Sequence, residues 1–524
     1  MMKNIRYYIG VFLLFIGTAC SDLDLSPEDY YGSNNFWKTE AQAKGFMIGL
    51  HSNFRGNAFT YFMLGELRGG LLKSGTSSLG TSLNYENTIL QNFTKDNFDG
   101  AFHNWAGFYG RILNINLAID QLNQANYLSE NQKNFYLGQA YGLRAWYYFW
   151  LYRTYGGVPI KTKPEVAKGS VTAEQLYTAR ATAKETLDFI KEDIKKSEDY
   201  FGNSTVDTKS QWTRYATLML KAEIYLWSAK VTTGNQTPTD VSGDLEKAEE
   251  ALNTVKSSGK YSLLPDFNNV FRYGNKENAE IIFTIPFLET EATNSSSLFL
   301  YSTDGLFNGK YKADGTQYEN DPLKIVSAGG VLRIEYKYAF FEKFDMEDTR
   351  RNVTFFDFYS DSSKGNPAVV MPKFIGMINS SNVRRYADDI PIYRYADVLL
   401  MLAEIKNKKN QDPSEEINEI RKRAYGSNYV ASTHGYTNGS FAENELAILL
   451  ERDKEFVCEN KRWFDVRRMQ DASGEPLVFS QNINYGSTTP ILNQSEKYRL
   501  LMPINSATLN GDPKLEQTEG YPKK

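Results

Sequence analysis

Residues 451–468 read Glu451-Arg452-Asp453-Lys454-Glu455-Phe456-Val457-Cys458-Glu459-Asn460-Lys461-Arg462-Trp463-Phe464-Asp465-Val466-Arg467-Arg468. Glu451, Glu455 and Glu459 recur at four-residue steps, a spacing that puts them on one face of an α-helix. The helix is predicted to run from Asn444 to Met469. Paired carboxylates are the equipment of glycoside hydrolysis, where they stand roughly 5–9.5 Å apart. Here Lys454, Lys461, Arg467 and Arg468 crowd the same stretch. The reading adopted is therefore a structural ion-pair helix made by Glu451, Arg452, Glu455, Glu459, Arg462 and Asp465, locked against a helical array. On that reading Arg462→Ala lowers stability and abolishes no reaction.

Upstream, the array is written in helical spacing and caps. Thr39 with Gln42, Ser129 with Gln132 and Thr172 with Gln175 have the form of capping boxes. Helices are predicted over 40–53, 102–123, 130–155, 173–199, 211–230 and 244–258, with Gly259 placed to end the last one. Several pair into helix–turn–helix units with alanine and aromatic contact positions, like a degenerate tetratricopeptide array. Trp146, Tyr147, Tyr148 and Trp150 share a helix with leucine and alanine partners and are assigned to its core. Gly65 to Gly80 interrupts the helical pattern. Residues 281–390 change character: a β-like run, Ile281 to Ile285, gives way to long Gly/Asn/Ser/Asp-rich stretches studded with aromatics. Helices return over 392–408 and 413–425. The predicted fold is mostly α, a tetratricopeptide-like helical array with an irregular, loop-rich, minor-β part that binds ligand. The boundaries are residues 20–280 for the N-terminal helical region and 281–524 for the C-terminal region.

Composition removes several functions. Lys+Arg is 59 against Asp+Glu 63, a net charge of -4, which gives no basic footprint for nucleic acid. Three histidines (His51, His103, His434) and two cysteines exclude zinc fingers and disulfide frameworks. No metal site and no cofactor is expected. Lys3 and Arg6 precede an apolar run from Ile9 to Gly17, then Thr18, Ala19 and Cys20. This reads as a signal peptide of residues 1–19 whose cleavage leaves Cys20 to be lipidated. Cys458 is then a lone, buried structural thiol.

Four separated motifs carry a family resemblance. They are Leu143-Arg144-Ala145-Trp146-Tyr147-Tyr148-Phe149 with Tyr155-Gly156-Gly157-Val158-Pro159; Tyr261 to Phe267 with Val270-Phe271 and Glu280-Ile281-Ile282-Phe283; Arg394-Tyr395-Ala396-Asp397-Val398-Leu399-Leu400 with Ala403-Glu404; and the 451–468 stretch itself. With the lipoprotein start and the acidic Ser21-Asp22-Leu23-Asp24 tether, the chain resembles the RagB/SusD family over nearly its whole length. It departs at Asn460, where glycine is usual, and at Asp453, where a basic residue is. The resemblance implies a non-catalytic, lipid-anchored outer-membrane protein exposed at the cell surface. Such a protein captures a glycan and works with a SusC-like TonB-dependent transporter. A peptide ligand for a similar transporter is the alternative, and a surface glycoside hydrolase a more distant one.

Flat aromatic rings beside Asn, Asp or Arg on loops are what a sugar needs, because rings pack on its C–H faces while polar groups bond its hydroxyls. Two segments supply them. Arg68, Asn84, Tyr85, Asn87, Phe98 and Asp99 lie in the first. Phe299, Tyr301, Asp304, Phe307, Asn308, Tyr311 and Tyr318 lie in the second. The resemblance implies ligand contacts in loops of these two regions.

Overall fold

A computed structural model describes residues 36–75, 85–97, 105–168, 171–301, 309–325 and 332–523. Helices dominate it. In chain order they begin with α1 (Glu40–Arg55), α2 (Ala58–Gly65), α3 (Ala106–Gln124), α4 (Glu130–Tyr155), α5 (Ala183–Phe201), α6 (Arg214–Lys230) and α7 (Val241–Ser257). They resume with α8 (Tyr395–Lys408), α9 (Ser414–Tyr425), α10 (Phe441–Glu455) and α11 (Arg462–Arg468). Neighbours in sequence pack in space: α4 lies on α3 and α5, α6 on α7, and α8 on α7, α9 and α10. This is the expected helical array. No helix among the described residues is long and apolar enough to cross a membrane.

The capping boxes at Thr39 and Ser129 open α1 and α4. The box at Thr172 opens only a single turn, Ala173–Leu176. The long helix starts instead at Ala183, capped by Thr182 with Glu185. Arg180 explains the break. Its guanidinium donates to the carbonyls of Gly157 and Tyr155, and the Ala181 N–H bonds the Val158 carbonyl, so the chain is held extended before α5.

The β structure is a set of two-stranded pairs. Strand β1 (Leu72–Ser74) pairs with β3 (Ile334–Tyr336), and β2 (Ile281–Ile285) with β8 (Ile390–Arg394). Strand β4 (Phe356–Phe358) pairs with β5 (Ala368–Val370), and β6 (Met377–Ile378) with β7 (Arg384–Arg385). Ile392 to Arg394, expected as helix, is thus strand. The run 390–394 completes the main-chain bonds of β2, and α8 begins one residue later.

One apolar cluster draws on both sides of residue 280. It joins Ile190, Trp227 and Leu252 to Phe283, Leu400 and Trp463, and it holds Trp146, Tyr147, Tyr148 and Trp150. A second cluster gathers Phe62, Phe299, Tyr336, Phe340 and Phe374 under the small sheets, and a third surrounds Tyr301, Phe358 and Tyr386.

The 451–468 stretch is not one helix. It breaks after Glu455, and Cys458 and Asn460 take φ of +60° and +65° before α11 begins. Those left-handed residues turn the chain back so that Glu459 reaches Arg394 and Lys373, the two cations that also bond Glu455. The turn fits closely on its neighbours. A Cβ on Gly65 would stand 2.1 Å from the Asn460 carbonyl oxygen, and one on Gly69 2.2 Å from the Arg462 Cγ. That approach explains the glycines that interrupt the pattern after α2.

Candidate functional site

The charged stretch assembles inside the protein. Arg394, fully buried at the end of β8, donates through Nη1 to Glu280 and Glu455 at 2.6 Å each. Its Nε reaches Glu459 at 2.9 Å. Lys373 Nζ reaches Glu459 at 2.6 Å. Glu455 also accepts from Arg423 and Arg350, and Glu451 accepts from Arg421 at 2.8 Å and Arg350 at 3.1 Å. Arg452 lies 2.9 Å from Asp465, and Arg462 donates to Asp453 at 2.6 Å and to the Gly69 and Ile483 carbonyls. Arg468 closes the network on Glu404 and Asp465, and Lys230 joins Glu404 to Glu445.

Burial alone would raise these carboxylates, because it penalises the charged form. For Glu455 the burial cost is outweighed by Arg423, Arg394 and Arg350, and the carboxyl sits far below its usual range. Glu459 is lowered too, burial being overcome by Arg394 and Lys373. Glu404 falls to about 2, its burial overcome by Arg468 and Lys230. Glu66 goes the other way. It is buried, bonded on one oxygen by the Cys458 N–H and the Tyr336 hydroxyl, and its other oxygen has no partner among the described residues. Burial pushes it up to about 7.

The expected ligand residues divide. Arg68 is fully buried, its guanidinium 4.0 Å over the Trp463 ring and 5.2 Å from that of Phe93. It donates to Gln91 and to the Arg499 carbonyl. Tyr85 is buried against Phe59, and Phe299 against Phe62 and Tyr336. Tyr301 is buried and donates its hydroxyl to Asp321. These four were expected on exposed loops and instead face the interior, because the irregular segments fold down as layers over the helices. Asn87 is half-buried, with its amide on Asn97. Cys20, Asn84, Phe98, Asp99, Asp304, Phe307 and Asn308 lie outside the described residues.

Tyr311 and Tyr318 remain at the surface, each half-buried. Tyr311 bridges in antiparallel fashion to both Gln317 and Tyr359. The Tyr318 ring lies 5.5 Å from that of Phe356, and its hydroxyl donates to the Asp357 carbonyl at 3.2 Å. Lys312 Nζ stands 5.6 Å above the Tyr318 ring, and the Gln317 amide donates to the Tyr311 hydroxyl at 3.0 Å. Behind them the Tyr359 hydroxyl donates to Asp357, and Tyr338 meets Tyr359 at 2.8 Å. The result is a layer of ring faces edged by amide, ammonium and carboxylate groups. Ring faces can cover the C–H faces of a sugar while the polar edge bonds its hydroxyls.

The sequence reading missed Phe356, Asp357 and Tyr359, which come from the β4–β5 hairpin some 40 residues after Tyr318. The alternation Phe356-Asp357-Phe358-Tyr359 before Gly365 is the signal that marks them. The histidines carry no chemistry of this kind. The Trp212 N–H donates to His51 Nε2, so His51 Nδ1–H donates to the Met47 carbonyl; burial lowers this neutral ring to about 4. His434 stacks on Tyr425, and His103 lies outside the described residues. Among the described residues Cys458 is buried without a disulfide partner, and no cluster of His, Cys, Asp and Glu is arranged to hold a metal.

Comparison with known proteins matches residues 225–521 to a model described as the SusD family. Residues 68–226 match one described as starch-binding, associating with the outer membrane. A SusD superfamily protein of Bacteroides fragilis is 41% identical with a TM-score of 0.85, over 93% of this chain and 100% of that one. SusD-like protein P38 of Formosa agariphila is 24% identical over 99% of both chains. The starch-binding protein SusD of Bacteroides thetaiotaomicron is 26% identical over 25% of this chain and 22% of that one.

Proposed function

The chain belongs to the SusD family, and on that premise we propose that it is a lipid-anchored surface protein of the outer membrane that captures a glycan. It hands the glycan to a SusC-like TonB-dependent transporter and makes or breaks no bond itself. The observation that carries this reading is the family match over 225–521, a span that contains the half-exposed tyrosine layer of Tyr311, Tyr318 and Phe356. The match of 68–226 to a starch-binding, outer-membrane-associated model supports the ligand class and the compartment. Cys20 is the residue that would carry the lipid.

The non-catalytic reading is supported by the fate of the acids. A glycosidase keeps one carboxyl protonated and one free near the bond it cleaves. Glu451, Glu455 and Glu459 are each engaged by arginine or lysine inside the protein, away from any surface a polymer could reach.

Capture works by many weak contacts. The tyrosine and phenylalanine faces exclude water from the apolar face of a sugar ring, and Lys312, Gln317 and Asp357 bond its hydroxyls. Electrophoresis in native gels containing amylopectin, laminarin, mannan or xylan tests the reading, with the same mixtures assayed for new reducing ends. Retardation by a polymer without product is the expected outcome. Product would make the protein an enzyme. Retardation by none, with competition by peptides, would move the ligand to that class.

A further inference from the structure

A groove lies on the helical array, where the first turns of α4 meet the end of α5 and the turn that follows it. Its volume is about 480 Å³, within the roughly 300–1,000 Å³ of small-molecule sites. It shares no residue with the tyrosine layer. Its walls are rings. Phe135 is half-buried and stands edge-on to Phe201 at 5.7 Å. Tyr200 is half-buried and stacks on Tyr141 at 5.6 Å, with the planes 9° apart. The sequence holds these rings in place. A Cβ on Gly138 would stand 2.9 Å from the Phe201 ring, so glycine lets that ring lie against α4. Gly202 then ends α5 at φ +49°, and Asn203, Ser204 and Val206 continue along the groove.

The lining selects a ligand by its charge and its hydrogen bonds. Among the described residues no charged side chain lines the groove. An ionic ligand would therefore give up its water there without a counter-charge. The polar groups are amides open to solvent: Asn131 and Asn203 are exposed and Asn134 is half-buried. None of the three side chains is hydrogen-bonded among the described residues. Gln132 is different, because its oxygen accepts from the Ser129 N–H and hydroxyl in the capping box of α4. A wholly apolar occupant would cover the free amides and leave them without partners, which costs free energy. An uncharged ligand rich in hydroxyls meets both conditions.

We propose that this groove is a second carbohydrate site, which holds an uncharged stretch of glycan. The proposal rests on the glycan reading above and adds to it a second point of attachment. Phe135 and Tyr200 cover C–H faces of the sugar, and Asn131, Asn134 and Asn203 bond its hydroxyls. The tyrosine layer differs in kind, since Lys312 and the Asp357 carboxylate stand at its edge.

The test is calorimetric titration of the full-length chain in detergent with maltohexaose, laminarihexaose, mannohexaose and xylohexaose. Asn134→Ala/Asn203→Ala removes two amides that bond nothing else among the described residues, so the melting temperature should not move. With the hexasaccharide that binds, the wild type is expected to show two binding events per chain and Tyr311→Ala/Tyr318→Ala one. Adding the two asparagine substitutions to that variant should weaken the remaining event at least fivefold, and added salt should leave it unchanged. Tyr200→Ala in place of the asparagine substitutions should act the same way; if it fails to fold, the asparagine variant decides alone. If Tyr311→Ala/Tyr318→Ala folds and loses all binding, or if its remaining event ignores the asparagine substitutions, the groove proposal is overturned while the glycan reading stands. The uncharged peptide acetyl-Ala-Tyr-Ala-amide is the control. Binding of it at the groove, and of no hexasaccharide there, would overturn the carbohydrate assignment. If the wild type binds no hexasaccharide and no polysaccharide, the glycan reading falls and takes this proposal with it.

Discussion

The stretch 451–468 and the layer formed by Tyr311, Tyr318 and Phe356 both concentrate groups able to touch a sugar, yet one is sealed and the other is open. In the first, the Arg394, Glu455 and Glu459 side chains are fully buried and every carboxylate of the ladder faces a cation. In the second, the rings are half-exposed and their polar edges face solvent. Charge density alone does not mark a binding site. A buried ion carries a desolvation penalty that only close partners offset, so its bonds are already spoken for. A half-exposed ring loses little by meeting a ligand and gains by shedding the water on its face. The two regions should accordingly respond to mutation in different currencies, stability for one and affinity for the other.

The largest effect is expected at Arg394. Arg394→Ala strips Glu280, Glu455 and Glu459 of a shared partner in the interior. Breaking one side of a buried pair costs roughly 3–5 kcal/mol, and urea denaturation should show an unfolding free energy lower by that order, with a correspondingly lower midpoint. An unchanged midpoint with lost polysaccharide retention would place Arg394 on the binding side of the comparison.

Glu66 sharpens the same contrast through pH. Its carboxyl is raised to about 7 by burial, above the ordinary value near 4.5. A raised acid favours the folded state while protonated, so this contribution is complete below pH 4.5 and is lost as pH rises through 7. Glu66→Gln is expected to stabilise the protein at pH 8 by about 3 kcal/mol and to have no effect at pH 4.5. Melting curves across that window test it; a gain that persists at pH 4.5 would mean packing, and not charge, is responsible. Glu404 has the opposite sign. Lowered to about 2, it stabilises above pH 4.5, and that contribution is lost as pH falls through 2.

The open layer should give a smaller change of the other kind. Tyr311→Ala/Tyr318→Ala is expected to weaken polysaccharide binding about tenfold, or about 1.4 kcal/mol. Stability should move less than in Arg394→Ala, because both rings are already half in water. A folded variant with unchanged affinity would sever the layer from function.

The contrast also explains what could be read in the sequence. The helical array was legible because capping at Thr39 and Ser129 and the three- and four-residue steps of Phe108, Ile112, Ile115 and Ile119 are local signals. The ion-pair character of 451–468 was legible because acids and bases alternate in one short stretch. Its break at Phe456 was not, since Cys458 and Asn460 adopt left-handed backbone without being glycine. Residues 392–394, the end of β8, were read as the start of a helix because their pairing partner lies more than 100 residues earlier. The surface layer was half legible for the same reason. Tyr311 and Tyr318 are visible in their own segment, but Phe356 and Asp357 join them only in the folded chain. Arg68 and Tyr301 misled because an arginine or tyrosine in a Gly-rich or Ser-rich segment looks exposed, and only packing shows that these segments are covered.

Lys312 offers the finest division between the regions, since it is a cation that is not enclosed. Its ammonium stands over the Tyr318 ring at 5.6 Å, exposed to water. Cations in such positions contribute roughly 0.5–1 kcal/mol. If that contact holds the ring face in place for a ligand, Lys312→Ala should weaken polysaccharide binding about two- to fivefold and leave the melting temperature where it was. Lys312→Arg keeps a cation over the ring and should restore most of the affinity. Calorimetry on both variants separates this from simple attraction to an acidic polymer. Attraction of that kind would fall steeply with added salt and vanish for a neutral glycan, whereas a ring held in place acts on neutral and acidic glycans alike. Equal affinity in wild type and Lys312→Ala for a neutral glycan would leave the tyrosine layer working without its cation, and would confine the role of charge in this protein to its sealed interior.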